Sequence, residues 1–193
     1  MKRLAAIPAL RKRVPEIERE LKRAADPEGV IVGLQRILEA GADPLPHLAG
    51  WLRMIDVSPG AVETLVARPA LALDIGGHGM AYDRAAFEEG LKRELSELSG
   101  LDARLDHLRA VRVDETLRIA WHDVVDGADL TVVTRRISDL AEIVMELVLE
   151  EVNEELAKAY GRAWHHFNSP GRSWTRWRAS PSGSCRPSGR TNM

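Results

Sequence analysis

Few residues in this 193-residue chain have the types and spacing that catalysis requires. His122 and Asp123 place a base beside an acid, but neighbours on a helix point about 100° apart, and no Ser or Cys is placed to act as a nucleophile. His165 and His166 are adjacent, without a third ligand at a metal-binding spacing. The sequence therefore predicts no catalytic residue and no metal ligand.

A glycine cluster at 76–79, Gly-Gly-His-Gly, is the other segment that could hold a ligand, because glycine-rich loops can cradle phosphate. No predicted strand leads into this cluster, and no Gly-Lys-Ser/Thr follows it. We expect a flexible loop there, and no cofactor-binding residue in the chain.

The charge is unevenly distributed along the chain. Residues 1–160 hold 21 Lys and Arg and 29 Asp and Glu, whereas residues 161–193 hold six Arg and no acid. An acidic body lacks the clustered cations that bind phosphates, so we expect no nucleic-acid partner. No segment approaches the roughly 20 apolar residues that span a bilayer, and Cys185 is the single cysteine. These features predict a cytoplasmic protein without a membrane partner.

Hydrophobic spacing of three and four residues predicts an all-α fold, and breakers and capping residues define its helices. Ser58 and Pro59 form an N-cap and first-turn pair, and Arg68-Pro69 ends the helix that they begin. The other predicted helices are Ala9–Ala25, Gly29–Ala40, Leu48–Ile55, a helix capped by Asp83 that ends at Leu98, Leu101–Val125, and a helix capped by Asp129 that ends at Tyr160.

The last predicted helix is a rod about 45–50 Å long, since a helix rises 1.5 Å per residue. Its predicted apolar stripe needs at least two other helices to cover it, which predicts a helical bundle with two long C-terminal helices. The preceding helix aligns four polar residues along one side. They form either a solvated charge ladder or an interface with a neighbouring domain. The predicted stripe is Leu130, Val133, Ile137, Leu140, Val144, Val148, Val152, Leu156 and Ala159, and the aligned polar residues are Arg112, Glu115, Arg118 and His122.

Motifs in these two helices resemble the helical segment that precedes the first nucleotidyltransferase domain of glutamine synthetase adenylyltransferase. That family has an Arg-rich helix of the form Leu-Arg-x-x-Arg-x-x-Glu-x-Leu-Arg-Ile-Ala, then a loop and a long helix that contains Ser-Asp-Leu-Ala. Tyr160-Gly161-Arg162 lies where the family has a link into its catalytic domain. The matching helical residues are Leu108, Arg109, Arg112, Glu115, Leu117, Arg118, Ile119 and Ala120, followed by Ser138, Asp139, Leu140 and Ala141.

The resemblance implies a function in nitrogen assimilation, through reversible adenylylation of glutamine synthetase, with ATP and Mg²⁺ used by the intact family member. Nucleotidyl transfer needs a Gly-rich turn followed by Glu-Leu, and an Asp-x-Asp pair that holds two Mg²⁺ ions; neither motif occurs in this sequence. We therefore expect an inactive fragment that supplies helical support and docking beside the missing catalytic domain.

The expected partner is glutamine synthetase or the adjacent nucleotidyltransferase domain. The candidate contact residues are Arg112, Glu115, Arg118 and Asp139. The alternative is a stand-alone helical interaction protein without enzymatic function.

The segment 161–193 differs in composition from the predicted helical domain, 1–160. It contains three of the five Trp, six Ser and three Pro, and no Leu, Ile or Val, so we expect a disordered basic tail. Out-of-frame translation of a GC-rich gene would yield this composition, and the change falls where the resemblance places the start of the catalytic domain. A natural truncation and an authentic tail, including an Arg/Trp arm that grips single-stranded nucleic acid, stay open.

Overall fold

The computed structural model describes residues 8–77 and 82–161, and every regular element in these two ranges is helical. This confirms the predicted all-α fold. The domain boundary at 160 stays a prediction, and His165, His166, Cys185 and the rest of the segment from 162 onward lie outside the described residues. The helices are α1 (Pro8–Arg11), α2 (Val14–Leu21), α3 (Pro27–Glu39), a 3₁₀ turn (Leu45–His47), α4 (Leu48–Val57), α5 (Pro59–Ala67), α6 (Leu71–Gly77), α7 (Arg84–Glu97), α8 (Leu101–Val124) and α9 (Leu130–Tyr160).

The first predicted helix, Ala9–Ala25, is wrong, because the structure has α1 and α2 with a two-residue break between them. Pro15 lies in the first turn of α2. Its missing N–H costs no hydrogen bond at that position, whereas a continuous helix would lose one and would bring the proline ring against the preceding turn. The proline therefore separates the two helices.

Two segments outside the predicted helices belong to helices in the structure. Helix α3 begins at Pro27, two residues before the predicted start at Gly29, and Asp26 caps it by accepting a hydrogen bond from the Gly29 backbone N at 2.9 Å. Helix α6, which was not predicted, extends to Gly77, so the predicted loop at 76–79 is wrong for its first two residues. His78 and Gly79 lie outside the described residues.

The predicted caps of the later helices occur in the structure. Asp83 accepts hydrogen bonds from the Ala85 and Ala86 backbone nitrogens at 2.9 and 3.2 Å. Asp129 caps α9 by accepting one from the Thr131 backbone N. Ser58 precedes α5 as predicted, but its side chain makes no capping hydrogen bond. The sequence therefore located these helix starts correctly, whether or not the side chain contributes.

The largest hydrophobic core is formed by α1 to α6 together with α8, and Trp51 is fully buried in it. The Trp51 indole Nε1 donates a hydrogen bond to the Ala72 backbone oxygen at 3.0 Å, so the ring joins α4 to α6. Trp121 of α8 packs against Trp51 with ring centroids 4.6 Å apart. The absence of a side chain at Gly50 permits α4 and α8 to pack this closely, because a Cβ at that position would lie 2.4 Å from the Trp121 ring.

Helix α8 also belongs to two smaller cores that it shares with α9. Leu108 packs in one core with residues of α7 and α9, and Ile119 packs in the other mainly with residues of α9, with Phe87 of α7 at its edge. The apolar stripe predicted for α9 is correct at Val133, Leu140 and Val144, which are buried. It is wrong at the exposed residues Leu130, Ile137, Leu156 and Ala159. The contacts with α7 and α8 decide which side of α9 is covered, and its buried residues are Val133, Arg136, Leu140, Ile143, Val144 and Leu147.

Candidate functional site

Charged side chains meet where α6, α8 and α9 come together, and they form what we call the arginine–carboxylate network. Arg118 donates a hydrogen bond to Asp74 of α6, and its Nε lies 2.9 Å from Glu115 Oε1 as an ion pair. Arg68, directly after α5, pairs with Asp114 and donates to the Ala110 carbonyl at 3.2 Å. The members of the network are Arg68, Asp74, Asp114, Glu115, Arg118 and Arg136.

Arg136 brings a positive charge into the buried face of α9. Its guanidinium lies 4.9 Å from the centre of the Tyr82 ring, and its Nη2 lies 3.8 Å from Glu115 Oε2. The Nε and Nη1 atoms of Arg136 and the Tyr82 hydroxyl are buried without a hydrogen-bond partner. Stacking and attraction to Glu115 partly offset the cost of burying this cation.

Burial is the largest influence on the pKa of two acids in this network, Glu115 and Asp114. Burial raises the pKa of Glu115, and the attraction of Arg118 and Arg136 only partly offsets that effect. Burial likewise raises the pKa of Asp114 against the attraction of Arg68 and Arg118. The pKa of the Tyr82 phenol is raised first by burial and then by the charge of Asp139. Each shift has desolvation as its largest cause, as expected where helices pack closely over charged groups.

The four predicted contact residues occupy three different environments. Glu115 and Arg118 belong to the network, and Asp139 pairs with Arg84 of α7 at 2.9 Å. Arg112 is exposed and lines a shallow cleft of about 240 Å³ between α5 and α8. The structure brings Glu115 and Arg118 together but leaves Arg112 on another side of α8. Their role in contacting a partner stays a prediction.

His122 is buried rather than part of a solvated charge ladder. Its Nδ1 lies 2.6 Å from Asp126 Oδ2, one helical turn later, so the acid beside it in sequence is not its partner. The pair closes the turn between α8 and α9, where the Ala128 backbone N donates to the His122 carbonyl at 2.9 Å. This contact stabilises a turn and places no nucleophile beside the histidine.

Sequence reasoning missed several members of the network. Arg136 carried a usable signal, because it follows Val133 by three residues and precedes Leu140 by four, which places a charge on the buried face. Asp114 carried a weaker signal, since it precedes Arg118 by four residues within the Arg-rich helix. Asp74 and Tyr82 carried none, because they come from separate segments that only the fold brings to α8 and α9.

The described residues do not fit a Mg²⁺–ATP site. No group of three or more His, Cys, Asp or Glu side chains in the described ranges could hold a metal ion. The carboxylates of Asp74, Asp114 and Glu115 face arginines, which occupy the oxygen atoms that a cation would need. The arrangement can fix α6, α8 and α9 relative to one another, and it offers no set of metal ligands.

None of the helices between residues 8 and 161, as far as the structure describes them, is both long enough and apolar enough to cross a membrane. The long helix α9 carries many charged residues along its length.

Comparison with known proteins gives one family. This chain is similar to several enzymes described as bifunctional glutamine synthetase adenylyltransferase/adenylyl-removing enzymes. The enzyme of Thioalkalivibrio sulfidiphilus is 28% identical over 120 residues, which cover 60% of this chain and 12% of the relative. That of Nitrosococcus oceani is 31% identical over 96 residues (48% and 10%), and that of Burkholderia mallei is 30% identical over 79 residues (41% and 8%). The chain thus spans about a tenth of the length of these relatives. No solved structure matches this chain.

The model of the glutamate-ammonia ligase adenylyltransferase family matches residues 51–172, more than half of the chain. The match begins in α4, includes all of α5 to α9, and therefore contains the whole arginine–carboxylate network. The chain belongs to the glutamate-ammonia ligase adenylyltransferase family.

Proposed function

We propose that this chain is a helical support and docking element of an enzyme that regulates glutamine synthetase by reversible adenylylation. Its partner is the adjacent nucleotidyltransferase domain or glutamine synthetase itself. The observation that carries the proposal is the family match over α4 to α9, in which helix α8 packs against both the Trp51 core and α9. A helix packed on two sides in this way keeps a fixed surface for a neighbouring domain.

We assign no adenylyl transfer to the chain by itself, and we place ATP and Mg²⁺ on the catalytic domain of the intact family member. The pairing of the network carboxylates with arginines supports this assignment, as does the lack of an Asp-x-Asp motif in the sequence. Purified chain incubated with glutamine synthetase, Mg²⁺ and labelled ATP should transfer no label to the synthetase. Label on glutamine synthetase above the level without the chain would contradict the assignment.

The contact surface on α8 includes Arg112. Glu115 and Arg118 help to position α8 against α9 and α6, and Asp139 ties α9 to α7. Arg112 is exposed and belongs to none of the ion pairs described above, whereas Glu115, Arg118 and Asp139 each do. Cytoplasmic location is part of the proposal, because glutamine synthetase regulation and the single cysteine of the chain both agree with it.

The test is binding of the full chain to two probes: the isolated nucleotidyltransferase domain of the Thioalkalivibrio sulfidiphilus relative, and that organism's glutamine synthetase. We expect saturable binding to at least one probe, weakened severalfold by Arg112→Glu. The matched control is Arg93→Glu on the exposed side of α7, which should bind as the unchanged chain does. Binding to neither probe would instead favour the alternative, a stand-alone helical interaction protein.

A further inference from the structure

The C-terminal half of α9 has an apolar side that the described helices leave largely uncovered. Its members follow one another at spacings of four, three, four and three residues, which is the heptad spacing of helices that pack along one seam. Met145 is 64% exposed, Leu149 is 57% exposed and Leu156 is 49% exposed. We call this surface the α9 seam, and it consists of Met145, Leu149, Val152, Leu156 and Ala159.

The α9 seam lies on a different side of the helix from the residues that α7 and α8 cover. Leu149 follows the buried Leu147 by two residues, or about 200° around the helix, so the two side chains point in nearly opposite directions. A single exposed leucine is ordinary on a protein surface, whereas several apolar residues on one side of a helix mark a surface that another segment packs against. The α9 seam therefore needs an occupant in addition to α7 and α8.

A row of carboxylates runs beside the α9 seam. Glu146, Glu150 and Glu154 recur every four residues, which places them one above another along the helix, and all three are exposed. None of these three, which we call the acidic row, forms a hydrogen bond or an ion pair within residues 8–77 and 82–161. The other glutamates in this half of α9 already have partners: Glu142 pairs with Arg84, Glu151 with Arg104 and Glu155 with Lys158.

The neighbouring helices do not neutralise the acidic row. Lys92 of α7 attracts two of its members, but the Lys92 ammonium donates a hydrogen bond to Glu88 at 2.7 Å. Arg104 of α8 attracts Glu154 while it forms an ion pair with Glu151. Like charges four residues apart destabilise a helix. The acidic row therefore favours an occupant that brings cations alongside the α9 seam.

Charge disfavours a second copy of α9 as the occupant. Residues 141–160 carry six Glu and one Lys, so a second α9 laid on the seam in either direction would meet the same excess of negative charge. The occupant should instead combine apolar or aromatic side chains with cations.

Residues 162–193 of this chain have the composition that the surface requires. They include six Arg and three Trp but no Asp or Glu. Residues 172–178 read Arg-Ser-Trp-Thr-Arg-Trp-Arg, so aromatic and cationic side chains lie together in one short stretch. A tryptophan ring covers a large apolar area, and a guanidinium can donate two hydrogen bonds to one carboxylate. The segment therefore complements both the α9 seam and the acidic row.

The same segment is tethered at one end of the α9 seam. Helix α9 ends at Tyr160, and Gly161 has φ +81°, a left-handed conformation that ends the helix there. The seam is about 21 Å long at 1.5 Å per residue, whereas the 32 residues from 162 to 193 reach roughly 100 Å when extended. The segment is therefore long enough to return along α9, and its attachment raises its concentration beside the seam.

We propose that residues 162–193 dock along the α9 seam, with their tryptophans on its apolar side chains and their arginines on the acidic row. Met145 and Leu149, one turn apart, form the centre of the apolar contact with Trp174 and Trp177. Both surfaces belong to this chain, so the contact does not depend on the proposed function. A protein partner that needs this side of α9 has to displace the segment.

The test is paramagnetic broadening of amide signals in the full-length chain. A nitroxide is attached in the variant Cys185→Ser/Ser180→Cys, two residues beyond the stretch 172–178. It should weaken the signals of residues 145–159 at least twofold relative to the reduced label. Signals of α3, which packs on α4 and α5, should keep their intensity. The broadening should decrease between 50 and 500 mM salt, because the screening length falls from about 14 Å to about 4 Å.

Two variants alter opposite sides of the contact. Met145→Glu/Leu149→Glu changes exposed residues of α9, and Trp174→Ala/Trp177→Ala changes only residues beyond α9, which keeps a readout if the first variant folds poorly. Each should restore most of the lost signal intensity. Val32→Glu on α3 is the matched control, because it also places a charge at an exposed apolar residue. It should leave the broadening unchanged.

Three results would overturn the inference. The first is equal signal intensity in α9 and α3 of the labelled chain, and the second is broadening that survives both variants. The third is broadening of α9 in a mixture of nitroxide-labelled chain with isotope-labelled chain that lacks the nitroxide, which would identify the segment of a second copy as the occupant. No partner protein is present in these samples, so binding to the two probes named above is a separate result that leaves this one unchanged.

Discussion

The close approach of α4 and α8 at Gly50 gives a stability prediction that the structure makes quantitative. In Gly50→Ala the new Cβ would lie 2.4 and 2.8 Å from two Trp121 ring carbons and 3.0 Å from a Val125 methyl. Carbon atoms prefer about 3.5–4.0 Å, so the Trp121 ring must retreat by about 1 Å. Trp51 packs against the same ring with its centroid only 4.6 Å away, and both rings are buried. The core therefore has little room to absorb the shift.

The expected change is a loss of about 1–2 kcal/mol in the free energy of unfolding. Overpacking a core costs about 1–3 kcal/mol, whereas replacing a helical glycine by alanine recovers about 0.5–1 kcal/mol. Gly90 in α7 is the matched control, because a Cβ there would meet no atom within 4 Å. Gly90→Ala should therefore gain about 0.5–1 kcal/mol from helix propensity alone. Gly50→Ala should therefore lower the free energy of unfolding and Gly90→Ala should raise it. The difference between the two variants, about 2 kcal/mol, is the cost of overpacking the core.

Urea denaturation followed by far-ultraviolet circular dichroism measures both variants. Near-ultraviolet dichroism of the tryptophans reports whether the Trp51–Trp121 contact has moved. If Gly50→Ala proved as stabilising as Gly90→Ala, with an unchanged tryptophan spectrum, the close packing of α4 on α8 described here would be refuted.

Three further predictions concern the caps, the network and its protonation. Asp83→Ala should destabilise the protein by about 1 kcal/mol in urea denaturation, since two backbone N–H groups lose their acceptor. Ser58→Ala should change the stability by less than about 0.5 kcal/mol, because the Ser58 side chain makes no capping hydrogen bond. Equal effects of the two substitutions would contradict the cap geometry. Arg136→Met should cost less stability than Glu115→Ala, because the first removes a buried cation with two unsatisfied donors and the second leaves that cation without its acid; the reverse order would contradict this account. Burial raises the pKa of Glu115 above 4.5 in the folded state, so the folded protein binds the proton of this carboxyl more tightly than the unfolded chain does. The contribution of Glu115 to stability therefore falls as the pH rises from 4.5 through the pKa of Glu115 in the folded protein. The stability of Glu115→Gln relative to the unchanged protein should therefore rise over that range in paired denaturation curves, and a constant or falling difference would contradict the sign.

Helix starts and the fold class could be read from the sequence because they depend on local chemistry. Asp83 and Asp129 cap the helices that follow them, since a short acidic side chain satisfies the free N–H groups of a first turn wherever the helix lies. The failures also have a local cause. Asp26-Pro27 can end one helix or begin the next, and only the hydrogen bond to Gly29 decides between the two.

The candidate site depended on contacts that no spacing could show. Arg118 and Glu115 lie one turn apart in the sequence, so their pairing was foreseeable as a helix-surface interaction. Their burial was not foreseeable, because it depends on Asp74 of α6 and Arg136 of α9. Asp74 lies 44 residues before Arg118, and Arg136 lies 18 residues after it. The tertiary structure turned an expected surface charge ladder into a half-buried network.

Local information in this sequence determined the helices, most of their caps, the charge difference between the body and the C-terminal segment, and the family motifs on α8 and α9. Tertiary structure alone decided which side of α9 is buried. Apolar residues occur on more than one side of that helix, and the positions of α7 and α8 cover Leu140 and Leu147 while leaving Met145 and Leu149 exposed. The physical reason is that capping and periodicity act over one or two turns, whereas burial depends on elements that are distant in sequence.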